Sequence, residues 1–378
     1  MIFIPSQEKS LKKCFICSEE KLVARILSVC KDCLRKGSTK VTELIICAHK
    51  KARSHYDLPL TAPDNDRISC SLCHHNCGLE ENESSYCGLR FRKKDVKIST
   101  YSTKEMGLLH NYFDPLPCNC CASWFCPAGT GAGYPEYASS QDKELGFYNL
   151  SVFFYGCSFD CLFCQNHNHK KINDGAKVSA SHLVQKFHNN PRINCICFFG
   201  GSPEPQFPFA INVSEQILEV AKTENRIARI CWEWNGFGNK QYVKKAAILS
   251  LKSGGNIKFD LKAWDSNIHQ ALTGVKNEVV LENFRFVGRE FFDLRPDLPI
   301  LNATTLLVPG YIDEVEVENI ASFISSINEN IPYSLLGFYP QFEFSDLPLT
   351  TLDLAEKCYK VASKYLKNVN IGNRHLLS

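Results

Sequence analysis

Fifteen of the twenty cysteines in this chain fall into four tight groups, and that clustering limits what the chain can fold into more than any other feature. A lone reduced cysteine is a small apolar residue that packs almost anywhere. Cysteines two or three residues apart, repeated along a chain, are spaced to hold metal. The N-terminus "MIFIPSQEKSLKKC" lacks the basic-then-apolar order of a secretory signal, and no run of eighteen apolar residues follows it. A cytoplasmic protein with no membrane span is therefore expected, and in that compartment metal binding is favoured over disulfides. The ungrouped cysteines are Cys47, Cys195, Cys197, Cys231 and Cys358. The middle three lie in apolar, strand-like runs, where packing in the core is expected.

The first group, Cys14, Cys17, Cys30 and Cys33, reads C-x2-C, a gap, then C-x2-C. Two tight knuckles of this kind can close four thiolates around one ion, and structural zinc is the expected occupant. The second group is Cys70, Cys73, Cys77 and Cys87, with His74 and His75 inside it. Its spacing fits either a zinc ion or an auxiliary iron–sulfur cluster. The third, Cys118, Cys120, Cys121 and Cys126, precedes a Gly- and Pro-rich loop. Neighbours such as Cys120 and Cys121 are not expected to aim at one metal, so a partial metal site, reactive thiols and plain packing all stay open.

From residue 151 the texture changes. Apolar β-branched runs at 151–156, 195–201, 230–235, 256–262, 302–309 and 333–340 alternate with helical patterns near 180–189, 213–225, 239–252, 277–292, 313–329 and 351–366. Such a series predicts a parallel sheet covered by helices. Six units fall short of a closed eight-unit barrel, so the expected fold is α/β: a partial (β/α)6 barrel preceded by small cysteine-rich metal-binding segments. The segments are taken as 1–60 (zinc-ribbon-like), 61–145 (cysteine-rich) and 146–378 (barrel).

The fourth group, Cys157, Cys161 and Cys164, directly follows the first strand of that barrel, in "YGCSFDCLFCQNHNH". Three thiolates can hold three irons of a [4Fe–4S] cube and leave the fourth iron free for another ligand. A zinc ion completed by His167 or His169 is the alternative.

"GCSFDCLFC" resembles the signature loop of radical S-adenosylmethionine (SAM) enzymes, and the resemblance runs over about residues 68 to 375. It is nearest the branch related to pyruvate formate-lyase activating enzyme. "CQN", "FFGGSPEP", "WEWNG", "KFDLKAWDSNIHQALTGVKNEVVLEN", "TTLLVPGYID" and "FYPQFEFSDLP" follow in the family's order. The resemblance implies a partial barrel of radical SAM type in which Cys157, Cys161 and Cys164 ligate the cluster. It places Phe163 near the adenine of SAM and Gly200, Gly201 and Glu204 at the methionine amino end. Glu233 and Asn235 would meet the ribose or carboxylate, Asp260 and Lys262 polar groups of SAM, and Val308 and Gly310 the adenine. The implied activity is reductive cleavage of SAM to a 5′-deoxyadenosyl radical that abstracts hydrogen. A low-potential flavodoxin or ferredoxin is the implied electron donor and a protein or peptide the expected substrate.

The long N-terminal third departs from simple activating enzymes, which keeps two other readings in view. One is an RNA-modifying enzyme docked by its ribbon. The net charge of +3 excludes a strong polyanion binder overall, but the first sixty residues carry twelve Lys and Arg against six Asp and Glu. A solvated basic surface is the expectation there, and no RNA-binding signature accompanies it. The other is a non-catalytic iron–sulfur and zinc protein, against which the SAM-like segments stand.

Overall fold

The computed structural model describes residues 11–64, 69–92, 99–118 and 120–378. The first ten residues of the 1–60 segment lie outside that set. A β-hairpin, β1 (Leu11–Lys13) and β2 (Glu20–Leu22), leads into helices α1 (Lys31–Lys36) and α2 (Thr39–Ser54). A second small hairpin, β3 (Arg90–Phe91) with β4 (Ser99–Thr100), comes before β5 (Met106–Pro115) and the single turn α3 (Pro127–Thr130).

The remainder alternates. In order come β6 (Tyr148–Phe154), β7 (Ala176–Ser179), α4 (Ala180–Asn189), β8 (Ile193–Gly200), α5 (Phe207–Thr223), β9 (Arg229–Trp234), α6 (Lys240–Ser253) and β10 (Ile257–Asp260). After them come α7 (Ser266–Thr273), α8 (Glu278–Phe291), β11 (Leu301–Leu307), α9 (Glu314–Ser325), β12 (Tyr333–Gly337), α10 (Leu352–Ala362) and β13 (Val369–Gly372). One nine-stranded sheet runs β13-β12-β11-β10-β9-β8-β6-β5-β7. The pairs from β6 through β13 are parallel, while β5 is antiparallel to both β6 and β7.

The expected α/β fold with a mostly parallel sheet is present. All six expected strands appear, each within a few residues of its sequence run. The structure adds β13 as a seventh parallel strand, the short helix α7, and the antiparallel pair β5 and β7. Burial explains the strands that were legible: β8 is buried over its first six residues and β11 over all but one. A strand covered on both faces needs such a continuous apolar run. Residues after β6 and residues of β13 line one common cavity, so the sheet curls until the two ends of its parallel run face each other.

The ribbon is not a free appendage. Val23, Ala24, Leu27, Val29 and Leu34 are buried in the same apolar core as the barrel strands. The backbone N–H of Ala24 donates to Tyr311 Oη at 2.9 Å and that of Arg25 to Asp346 at 2.9 Å. Three of its basic residues pair with the barrel, Lys12 with Asp346 at 2.9 Å, Arg35 with Glu316 at 2.9 Å, and Lys31 with Asp313, while Lys13, Arg25 and Lys36 stay exposed. Among the described residues no helix is long and apolar enough to cross a membrane.

Candidate active site

The site sits at the C-terminal ends of the parallel strands, where a barrel of this kind presents its chemistry. A cavity of about 520 Å³ opens there. That is ample for a nucleoside-sized ligand. Cys157, Cys161, Cys164 and Phe163 from the loop after β6 form one wall, with Gly200 and Gly201 from the end of β8 beside them. Glu233 and Asn235 (β9), Lys258 and Asp260 (β10), Lys262, and Thr304 (β11) continue the wall, and Asn370 and Gly372 of β13 lie opposite.

The cysteine loop is held on every side. Asp160 N donates to the Thr273 carbonyl at 2.8 Å and Leu162 N to Leu272 at 3.0 Å, which pins the loop to the end of α7. His75 Nε2 bonds the Ser158 carbonyl at 2.7 Å. The Asp160 carboxylate is fully buried, meeting His49 Nδ1 at 2.7 Å, Arg53 at 3.7 Å and Lys170 Nζ. Two of these partners come from α2, so the N-terminal helix clamps the loop that carries the three thiols.

Gly201 fits a close crossing. Its N–H donates to the Phe154 carbonyl at 2.9 Å, and a Cβ there would lie 2.1 Å from the Gly156 carbonyl oxygen. That neighbour is backbone and cannot swing aside. We expect Gly201→Ala to cost about 1–3 kcal/mol, as overpacking does; denaturant unfolding would show it, and an unchanged value would refute the close packing.

Cys157 and Cys161 are buried and Cys164 half-buried, and desolvation pushes all three thiols up, Cys161 to about 12, while Lys262 and Lys170 pull Cys161 and Cys164 back down. Cys157 Sγ receives Asn235 Nδ2 at 3.2 Å and the Phe159 N–H at 3.3 Å. A donor set of three soft sulfurs, with N–H groups aimed at one and ammonium groups near the others, suits iron. The alternative of one zinc ion finds His169 Nε2 at 3.7 Å from Cys164 Sγ, but His167 is turned to Tyr56 Oη at 3.1 Å. Among the described residues the three sulfurs do not join a set whose ligand atoms all lie within 4.8 Å. A single ion needs that closeness; a cube does not, because each thiolate sits on a different iron.

Across the cavity runs a ladder of alternating charge. Lys258 Nζ lies 3.0 Å from Glu233 and 3.2 Å from Asp260, and Lys262 Nζ 2.6 Å from Asp260. Thr304 Oγ1 donates to Asp260 at 2.6 Å. Strand register creates it: Lys258 pairs with Glu233 on β9, and Asp260 with Thr304 on β11. Burial would push the Asp260 carboxyl up, but Lys258 and Lys262 hold it well below its usual range. Burial does push Glu233 up, to about 7, against the pull of Lys258.

The model of the radical SAM superfamily matches residues 151–324. Residues 151–324 form a radical SAM domain. A Methanocaldococcus jannaschii protein provisionally named a glycyl-radical enzyme activating enzyme is 27% identical over 226 residues, covering 58% of this chain and 79% of that one. The isethionate sulfite-lyase activating enzyme of Desulfovibrio desulfuricans is 43% identical over 144 residues, 36% of this chain. The match spans only 41% of that relative. Among solved structures, Streptococcus suis SuiB bound to S-adenosylmethionine aligns over 60% of this chain and 47% of its own, at 12% identity and a TM-score of 0.41. So loose a likeness carries no argument.

Most of the residues expected to meet SAM line the cavity of the radical SAM domain: Phe163, Gly200, Gly201, Glu233, Asn235, Asp260 and Lys262. Three do not. Glu204 is buried behind it, with Oε1 accepting the Phe237 N–H at 3.1 Å. Val308 is buried beyond the end of β11, and Gly310 presses on the ribbon, where a Cβ would meet the Leu22 carbonyl oxygen at 2.4 Å. The chain turns away from the cavity after Leu307, so this stretch seats the ribbon. Lys258 was missed, although it lies two residues before Asp260 on the same face of the strand.

The ribbon cysteines converge: the sulfurs of Cys14, Cys17, Cys30 and Cys33 lie within 4.8 Å of one another. Tetrahedral zinc with bonds of about 2.3 Å would set them roughly 3.8 Å apart. Burial pushes Cys14 up, yet the N–H groups of Cys17, Cys30 and Ile16 hold it down, at about 6, ready as a thiolate. Cys70, Cys73, Cys77 and Cys87 of the second group do not join a set whose ligand atoms all lie within 4.8 Å, among the described residues, so they are not closed on a single ion as the ribbon sulfurs are; the wider spacing of an auxiliary cluster is not subject to that limit. Cys73 packs into the barrel core, Cys77 against Leu79 and Tyr86, and Cys87 against Leu89 and Tyr155. His75 braces the cysteine loop through the Ser158 carbonyl. The third group also differs: Cys120 and Cys121 both reach Glu233.

Proposed function

We propose that this chain is a radical SAM enzyme that holds a [4Fe–4S] cluster on Cys157, Cys161 and Cys164, binds SAM in the adjoining cavity, and abstracts hydrogen from a protein or peptide. The observation that carries it is the meeting of three thiols and a SAM-sized cavity at the strand ends of a radical SAM domain. When bound there, cluster and SAM together supply the reductive cleavage that yields a 5′-deoxyadenosyl radical. The chain's own residues position the ligand. Gly200 and Gly201 let the end of β8 cross tightly over the backbone of Phe154 and Gly156, which sets the cavity wall beside the three cysteines. The Asp260–Lys262 pair offers an anion and a cation side by side, suited to an amino acid's ammonium and carboxylate. Phe163, with Lys262 5.9 Å from its ring centroid, gives an apolar face for a base.

Relatives named as activating enzymes support a protein substrate. A low-potential flavodoxin or ferredoxin is the donor this chemistry calls for, and zinc the ion that suits the ribbon.

Metal content tests the assignment directly. After anaerobic reconstitution, a chain with Cys157, Cys161 and Cys164 all replaced by alanine should lose its iron and sulfide and keep the ribbon's zinc. Iron that survives intact in that variant would place the cluster elsewhere.

A further inference from the structure

The third cysteine group has no role in the proposal above, yet it reaches into the same cavity. Cys120 and Cys121 line it together with Ser123 and Trp124. The segment is pinned there: Trp124 Nε1 donates to Ser334 Oγ at 3.0 Å, and Ser334 Oγ to the Cys121 carbonyl at 3.1 Å, which ties the loop to β12. On the other side Cys120 Sγ lies 3.4 Å from Glu233 Oε1. The sulfurs of Cys120 and Cys121 and an oxygen of Glu233 all fall within 4.8 Å of one another. Besides the ribbon, no other set among the described residues does so.

From this geometry we infer that Cys120, Cys121 and Glu233 form a second metal site, a three-ligand site for a soft divalent ion, Zn²⁺ or Fe²⁺, whose fourth position faces the SAM cavity. Thiolates select such ions over magnesium or calcium. Three protein ligands with one position open is the pattern of metal sites that bind a substrate, whereas closed four-ligand sites are structural. Charge balance agrees. Two thiolates and a carboxylate bring three negative charges to an ion carrying two positive ones, and buried Lys258, 3.0 Å from Glu233 Oε2, offsets the remainder. Lys258 also orients the carboxylate: one oxygen is taken by its ammonium and the other is left for the ion, the outer-shell arrangement that metal ligands usually have. The Ala122 N–H, 3.4 Å from Cys120 Sγ, supports a thiolate there.

The open position gives the ion a use that rests on the SAM reading: it would capture a donor atom of the substrate, such as a peptide thiolate or carboxylate, and hold the molecule in the cavity where hydrogen is abstracted. The ion itself does not depend on that reading and is tested apart from it.

The test uses the full chain in the Cys157, Cys161 and Cys164 to alanine background, purified anaerobically and loaded with zinc alone. Two zinc ions per chain are expected, falling to one when Cys120 and Cys121 are both changed to serine; the ribbon's ion, retained, shows that the chain still folds. Lys258→Met, which leaves all three ligands in place, should weaken the second ion about 10–100-fold. Cobalt in place of zinc should give a thiolate charge-transfer band that drops in the double-serine variant. Equal zinc with and without Cys120 and Cys121 overturns the site. Iron with acid-labile sulfide lost together on the double replacement would equally overturn a single-ion site, in favour of a cluster. Because the background lacks the three cluster thiols, failure here and failure of the cluster assignment read separately.

Discussion

Cys161→Ser stops SAM cleavage: methionine and 5′-deoxyadenosine formation falls to background in an anaerobic assay with a strong chemical reductant, while the chain stays folded. Cys161 is buried in the cavity wall, and the replacement changes one atom without changing shape. A hard hydroxyl oxygen is a poor ligand for iron where a soft thiolate is called for. With two thiolates left, the cluster has lost one of its three anchors, and no neighbouring side chain in the loop offers a sulfur in exchange. Cys47→Ser is the matched control. That cysteine is exposed on α2 and lies outside the cavity, so the same chemical change there should leave cleavage intact. Cleavage persisting in Cys161→Ser would sink the cluster assignment, and with it the reading of the cavity as a SAM site.

How much of this was legible in the sequence follows from what kind of signal each part leaves. Strands β8, β9 and β11 stood out because both of their faces are covered. β5, "MGLLHNYFDP", is half-exposed along its outer part and β13, "VNIG", is four residues long, so neither writes a continuous apolar run. The ribbon's spacing carried its geometry because each C-x2-C pair is local. The second group could not be judged in that way: whether its sulfurs close on one ion depends on how the connection between Cys77 and Cys87 folds, and no three of them come within 4.8 Å of one another. The third group misled for a related reason. Adjacent side chains diverge on a strand, but Cys120 and Cys121 sit in an irregular turn anchored by Trp124, where no such alternation applies. Gly310 is placed against the ribbon, a contact that resemblance to chains without a ribbon could not show.

The clamp on the cysteine loop was not legible at all, since Asp160 lies more than a hundred residues along the chain from His49 and Arg53, and it leads to the second large effect. Asp160→Ala removes the carboxylate that meets His49, Arg53 and Lys170 together, and leaves cationic side chains buried without it. Breaking a buried charge network from one side costs about 3–5 kcal/mol, so denaturant unfolding should shift by that order and iron should be lost on gel filtration even where the fold survives. Arg53 keeps its bonds to the Pro59 and Tyr86 carbonyls at 2.5 Å each, which is why the expected result is a loosened loop in a chain that still folds. The effect also has a pH signature. Burial would raise the Asp160 carboxyl, but the hydrogen bond from His49 and the charges of Lys170 and Arg53 prevail and hold it below its ordinary value. A carboxyl lowered on folding stabilises fully above its unfolded value of about 3.9 and loses that contribution as pH falls through the lowered native one. The gap in unfolding free energy between the native chain and Asp160→Asn should therefore be constant from neutral pH down to about 4 and shrink below it. A gap under about 1 kcal/mol at neutral pH, the worth of a surface pair, would mean that the N-terminal helix rests on the loop without holding it, and the extra third of the chain would need another reason to be there.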